Sequence, residues 1–304
     1  MPYSTKAQQE KRGAALSSVI AAVGLTSFKL VVGVLTNSLG ILAEAAHSGL
    51  DLVAAAMTYF AVRVSDKPAD REHQFGHGKI ENLSALFETV LLLITSAWII
   101  YEAVQRLFFK SVRVEVNYWS FVVMATSIVI DYSRSRILYR AARKYNSQAL
   151  EADALHFSTD IWSSSVVILG LIGVLFSRQF PNLGWLVQAD AVAALVVALI
   201  VVYVSSKLGR RTIQALLDAA PQGMVEKIRH AVEAVRGVAD CHQIRLRPSG
   251  ACWFIDLHVT MDGRRSLSDT HAVTERIEEA IREFIPLADV TVHVEPLEPP
   301  SITP

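Results

Sequence analysis

The sequence predicts a membrane-embedded bundle of six helices followed by a small polar α+β domain. Three observations carry this. Of 304 residues, 52% are hydrophobic and only 19% charged, below the roughly 25% charged of ordinary globular domains. Six apolar stretches reach the length of about 20 residues that crosses a bilayer. From about residue 209 the pattern turns polar, with short amphipathic helices and alternating strands.

The spans are expected near 14–36, 40–63, 82–109, 117–139, 150–177 and 186–206. Turn chemistry separates them: Thr36-Asn37-Ser38 after the first, Asp66-Lys67-Pro68 after the second, and Pro181-Asn182-Leu183-Gly184 after the fifth. Asp131 and Arg134 fall within the fourth stretch, whose cytoplasmic end is therefore expected to project into water. Lys and Arg gather on one side of the six spans: Lys6, Lys11, Arg12, Arg63, Lys67, Arg71, Lys79, Arg136, Arg140, Arg143, Lys144, Lys207, Arg210 and Arg211. The other side holds Lys110, Arg113 and Arg178, with Arg106 near the boundary. The positive-inside rule then places both termini in the cytoplasm. The first residues are polar through Arg12, so no cleaved leader is expected.

The expected division is 1–208 for the membrane domain, 209–296 for the soluble domain and 297–304 for a disordered Pro-rich tail. In the soluble domain a helix is expected over 225–235, with Gly237 as its C-cap. Strands follow at 241–247 and 252–261, turned by Ser249-Gly250. A helix over 268–284, starting at Ser268 or Asp269, and a strand over 290–294 complete the order αββαβ. Cys241 and Cys252 lack metal-ligand spacing and read as reduced core residues.

The chemistry lies in ionisable residues placed inside apolar helices. Glu44-x2-His47-x3-Asp51 and Asp153-x2-His156-x3-Asp160 have one spacing, and residues three and four apart share a helix face. Each ionisable group at membrane depth costs about 2.5–3.5 kcal/mol on insertion scales, so two matched columns are hard to ascribe to packing. His47, Asp51, His156 and Asp160 together offer a four-ligand site for a divalent cation such as Zn2+. Such ligands shed protons to bind metal, so metal and protons compete there. Glu44 and Asp153 extend the columns as supporting groups. Lys29 is expected to snorkel or to pair with an acid. The loop after the second span presents Asp70, His73 and His77, with Gly76 and Gly78 alongside. The soluble domain adds His242, His258, His271, His293 and Glu295. His230 reads as solvent-facing.

Formal net charge is zero, which gives no electrostatic case for nucleic acid. No nucleophile with its base, phosphate loop or cofactor fingerprint marks an enzyme. Two other classes fit parts of the pattern: a metal-selective channel, and a membrane-anchored metal sensor or assembly protein.

Three segments carry a resemblance: Leu42-Ala-Glu-Ala-Ala-His47-Ser-Gly-Leu-Asp51, Phe75-Gly-His77-Gly-Lys79-Ile-Glu81, and Ser147-Gln-Ala-Leu-Glu-Ala-Asp153-Ala-Leu-His156-Phe-Ser-Thr-Asp160. Over about residues 14–296 the chain resembles bacterial members of the cation diffusion facilitator family, the zinc, iron and cadmium efflux transporters. The resemblance implies a ferredoxin-like soluble domain. It also implies a homodimer in the inner membrane that exchanges cytoplasmic divalent metal for protons by alternating access. It assigns transport to His47, Asp51, His156 and Asp160, and a second metal site to Asp70, His73 and His77. Structural metal sites that hold the dimer fall on His242, His258, His271, His293 and Glu295, and an interlocking ion pair on Lys79 and Asp218. Some relatives carry Asp at the position of His47; the extra nitrogen here favours Zn2+ over harder Fe2+ or Mn2+. Cd2+, Co2+ and Ni2+ remain chemically compatible cargoes. Glu295 stands where a relative has Asp, and apolar Val294 where a polar residue assists.

Overall fold

The computed structural model describes residues 5–109, 118–179 and 186–297. Six long helices come first: α1 (Thr5–Leu35), α2 (Leu39–Ser65), α3 (Lys79–Phe108), α4 (Tyr118–Tyr145), α5 (Gln148–Gln179) and α6 (Leu186–Leu216). Then follow α7 (Met224–Glu233), β1 (Asp240–Ser249), β2 (Cys252–Met261), α8 (Leu267–Arg282) and β3 (Ala288–Pro296). The chain divides into two compact units. One holds the helices up to Lys67 and Ile80–Ile213; the other joins Pro68–Lys79 to the chain from Gln214 onward. The break at 181–184 and the tail beyond Leu297 lie outside the described residues.

Within the helical unit, α1 packs along α2 and α4 along α5, with α1–α4 and α2–α5 contacts closing the group. Its core mixes Ala15, Ala55, Ala142, Ala149 and Ala154 with Val62, Leu138, Leu150 and Phe157. Small residues let helices approach closely where lipid removes the hydrophobic drive to associate. Among the described residues, Lys6–Leu35, Glu44–Ser65 and Lys79–Gln105 are long and apolar enough to cross a membrane on length and composition alone.

The helices outrun the expected apolar stretches because their polar ends pair with one another. Buried Lys11 Nζ lies 2.8 Å from Asp66 Oδ1 and 2.9 Å from Glu81 Oε1. Ser65 and Ser147 also donate to Glu81, so one network ties α1, α2, α3 and the start of α5. The expectation for Asp131 and Arg134 is corrected here. They are 5% and 4% exposed and ion-paired at 3.2 Å. The bundle satisfies their charges internally, so α4 has no need to carry them into water.

Two helices share a start device. Asn37 and Asn146 adopt positive φ of 49° and 50°, a conformation Asn tolerates well. Ser38 and Ser147 follow and accept from the backbone N–H of Ile41 and Leu150, as N-caps do.

The polar unit holds a three-stranded sheet in the order β1-β2-β3, with β1–β2 antiparallel and β2–β3 parallel. With α7 and α8 this is the ferredoxin-like αββαβ arrangement. Its core joins Ile228 and Val232 of α7 to Ile255, Leu257 and Val259 of β2 and to Val273, Ile277 and Ile281 of α8. Cys241 is buried and free, and burial pushes its thiol up to about 11, as suits an inert core residue. Cys252 is partly buried.

Several boundaries differ from the sequence expectation. Ala234, not Gly237, caps α7; Gly237, at φ +110°, sits between Arg236 and Val238 in an isolated bridge past the helix end. Ser266 caps α8, accepting from Asp269 N–H while its hydroxyl donates to the Asp269 carboxylate. Side-chain capping therefore starts that helix before the Ser268 or Asp269 that periodicity favoured. Strands β1 and β3 run longer than expected because ladder pairing carries on through Pro248↔Trp253 and Met261↔Pro296.

Candidate metal centres

The ionisable columns of α2 and α5 stand at the same distance from their caps. His47 lies nine residues past Ser38 and His156 nine past Ser147; Asp51 and Asp160 each follow four later. Nine residues span about 13.5 Å of helix, so each column sits well inside its helix. The side chains then pair crosswise. His156 Nε2 lies 3.1 Å from Asp51 Oδ1, and His47 Nε2 lies 4.0 Å from Asp160 Oδ1. Each His is also near the Asp of its own helix, at 4.0 Å for His47–Asp51 and 3.6 Å for His156–Asp160. The first ligand of each column thus lies beside the last ligand of the other. His47, Asp51 and Asp160 present ligand atoms all within 4.8 Å of one another, with His156 in contact with both acids.

The burial is uneven. His156 and Asp51 are 4% and 8% exposed, whereas the His47 side chain is 43% exposed. One edge of the quartet is therefore open and the rest enclosed. His156 Nδ1 is buried and without a hydrogen-bond partner.

The supporting residues separate in the structure. Glu44 accepts from Lys29 Nζ at 3.2 Å, and that ammonium also donates to Ser48 Oγ at 2.8 Å. Glu44 is thus the partner of Lys29 rather than of an imidazole. Asp153 is fully buried and accepts from Ser18 Oγ at 3.4 Å. Glu88 of α3 escaped the sequence reading. It is fully buried, accepts from Thr58 and lies within electrostatic reach of Asp153 and His156. Its signal was a single acid in an apolar run, with no partner column to give it weight.

In the polar unit, the loop residues Asp70, His73 and His77 form a second cluster. Asp70 Oδ1 accepts from the backbone N–H of His73 at 2.6 Å and of Glu72 at 3.0 Å. Those bonds, the His73 amide first, hold its carboxyl below the usual range. His73 Nδ1 lies 3.3 Å from Asp70 and His77 Nε2 3.4 Å from it, and the two rings stand 4.4 Å apart. The loop leans on the sheet: at Gly78 a Cβ would overlap the backbone of Ser249 and Gly250. Phe75 meets Phe254 edge-on at 5.1 Å, with the Arg247 guanidinium 3.8 Å over Phe75. Lys79 and Asp218 pair at 2.8 Å.

A third cluster follows from strand register. His242 pairs with His258 across β1–β2, and His258 with His293 across β2–β3, so the three imidazoles form one row. Glu295, two residues past His293, shares its face. Its Oε1 is 2.8 Å from His258 Nδ1 and its Oε2 3.3 Å from His242 Nε2. The bond to His258, then the charges of His242, His258 and His293, hold the Glu295 carboxyl below its ordinary value. His242, His258 and Glu295 present converging ligand atoms. His293 is 3.8 Å from Glu295 on the exposed flank. His271 does not join them; on α8 it is 73% exposed and faces Glu275 at 3.7 Å.

Two family models match most of the chain. The one described as cation efflux transmembrane domain covers residues 15–217, and the one described as cation efflux protein, cytoplasmic domain, covers 220–297. The cation-efflux pump FieF of Serratia proteamaculans (strain 568) is 30% identical over 289 residues, spanning 92% of both chains. FieF of Salmonella arizonae is 31% identical over 288 residues, spanning 93% of this chain and 92% of that one. Among solved structures, the metal-bound C-terminal domain of the CzcD transporter from Thermotoga maritima is 32% identical, covering 26% of this chain and 92% of its own, with a TM-score of 0.24.

Proposed function

Since the chain belongs to the cation efflux family, we propose that it exports a divalent metal ion from the cytoplasm in exchange for protons, with Zn2+ as the favoured cargo. The observation that carries this reading is the convergence of His47, Asp51, His156 and Asp160 at one point within the helical unit. Two imidazole nitrogens and two carboxylate oxygens suit tetrahedral Zn2+. With both acids ionised and both imidazoles neutral the quartet carries two negative charges, which one divalent ion balances. Protons arriving at the same atoms remove that charge and release the ion. Loading from the cytoplasm and release by protons outside, with the helices rocking between the two, gives efflux driven by the proton gradient.

Cd2+, Co2+, Ni2+, Fe2+ and Mn2+ compete for the same donors, the last two at a disadvantage from the second nitrogen. The loop residues Asp70, His73 and His77 would hold a second ion. His242, His258 and Glu295 would hold a resident zinc, with His293 beside them. We read 1–208 as the membrane domain of an inner-membrane homodimer, 209–296 as its metal-responsive cytoplasmic domain, and Lys79–Asp218 as the pair that interlocks the assembly.

Metal-driven proton flux in proteoliposomes tests the reading. Zn2+ on one side should drive protons to the other, and Asp160→Ala should abolish both fluxes. Normal transport by Asp160→Ala, or zinc movement indifferent to a pH gradient, would sink it.

A further inference from the structure

Arg134 is an arginine deep in a helical bundle, outside every cluster described above. Its guanidinium touches two helices besides its own. It donates to Asp131 Oδ1 at 3.2 Å on α4. Nε and Nη2 donate to Ser18 Oγ on α1, at 3.3 and 3.1 Å. Its plane lies 3.4 Å over the Phe157 ring on α5. Ser18, with its lone pairs taken by the guanidinium, turns its hydroxyl proton to Asp153 Oδ2 at 3.4 Å.

Both outer contacts fall on α5, on either side of His156. Asp153 lies three residues before it and Phe157 one after, the latter ring edge-on to the imidazole at 5.4 Å. Two fixed points about one turn apart determine how a helix is rotated about its axis, and hence where His156 and Asp160 aim. An arginine 4% exposed is costly in a membrane protein even when paired, as here with Asp131, and packing alone would be met by an apolar side chain. A planar fork that donates and stacks at once is what only arginine supplies.

We infer that Arg134 is a positioning residue for the transport quartet: through Ser18–Asp153 on one side and Phe157 on the other, it sets the rotation of α5 that aims His156 and Asp160 at Asp51 and His47. The inference rests on the quartet being a metal site. It goes beyond the ligands themselves, because Arg134 touches none of them.

The test uses full-length protein in a background lacking the other clusters (Asp70→Ala with His258→Ala). Detergent-solubilised protein is titrated with Co2+, and its ligand-field absorption is followed alongside elution profile and melting temperature. Arg134→Gln should weaken cobalt affinity about tenfold, as expected when ligands shift by a fraction of an ångström. Ser18→Ala and Phe157→Leu, each removing one arm, should weaken it by smaller steps. Arg134→Lys keeps the charge but not the fork, and should restore only part of the affinity. Folded Arg134→Gln with background affinity overturns the inference. If that variant does not fold, unchanged affinity in both single-arm variants overturns it. A background protein that binds no cobalt overturns both this inference and the transport reading. One that binds cobalt yet moves none in liposomes overturns transport alone, and the variant affinities still decide the role of Arg134.

Discussion

Thr58 and Glu88 show how much a single buried atom decides in this protein. The Thr58 hydroxyl is a donor to Glu88, and both residues are fully buried. Thr58→Val keeps the shape but strips that donor, so it should destabilise by about 1–3 kcal/mol, the cost of an unsatisfied buried polar group. Melting in detergent reads this, and an unaltered midpoint would mean that water already serves Glu88. At the quartet, Asp51→Asn should lower zinc affinity at least tenfold, because it removes one of two charges and an acceptor from His156. Glu44→Gln should leave affinity near wild type, since Glu44 serves Lys29. Equal losses from both changes would make Glu44 a ligand. The four candidate ligands were legible in the sequence because their spacing repeats. The partner of Glu44 was not, because nothing in a helical period says which neighbouring helix brings a lysine.

Elements meet in this chain through their polar ends. Lys11, Asp66 and Glu81 bind three helices at one end of the helical unit, with side chains 1–4% exposed. Removing Lys11 takes the cation from Glu81, which keeps only Ser65 and Ser147, while Asp66 keeps Arg12 at 3.1 Å, so Lys11→Met should cost about 3 kcal/mol, the low end for breaking a buried pair. The double change Lys11→Met with Glu81→Gln should recover part of it; a double variant worse than the single would show that the network does not act as a unit. Ser266→Ala should cost about 0.5–2 kcal/mol by uncapping α8, measurable as a lower melting temperature of the polar unit. Helix existence and the β2 strand could be read from hydrophobic period alone. The ends of α1, α7 and α8 could not, because capping, ion pairs and positive-φ turns override period there.

At the scale of the whole molecule, metal and acidity should change how the chain associates and melts. Zinc held by His242, His258 and Glu295 should favour the association state it binds best. Sedimentation of the full-length protein in detergent, with and without Zn2+, should show a tighter dimer with metal, and His258→Ala should remove the response. Acid acts on the same cluster. The folded pKa of Glu295 lies below its ordinary 4.5, so its contribution is complete above that value and is lost as pH falls through the lower folded one. Metal-free protein should therefore melt progressively lower from about pH 4.5 downward, and Glu295→Gln should flatten that fall.

The sequence by itself determined the kind of molecule and singled out the four residues of the candidate quartet. Apolar length, charge asymmetry and a repeated three-four spacing are local properties that survive without coordinates. Only the tertiary structure decided what those residues meet. The crosswise pairing of His156 with Asp51 and of His47 with Asp160 needs α2 and α5 packed against one another. The row His242, His258 and His293 needs strand register, and the separation of His271 from it needs the placement of α8. Arg134 went from an expected charge in water to a buried anchor of α5, because its partners Ser18 and Phe157 lie 116 residues before it and on the following helix. A chain read in one dimension carries no signal of such distances.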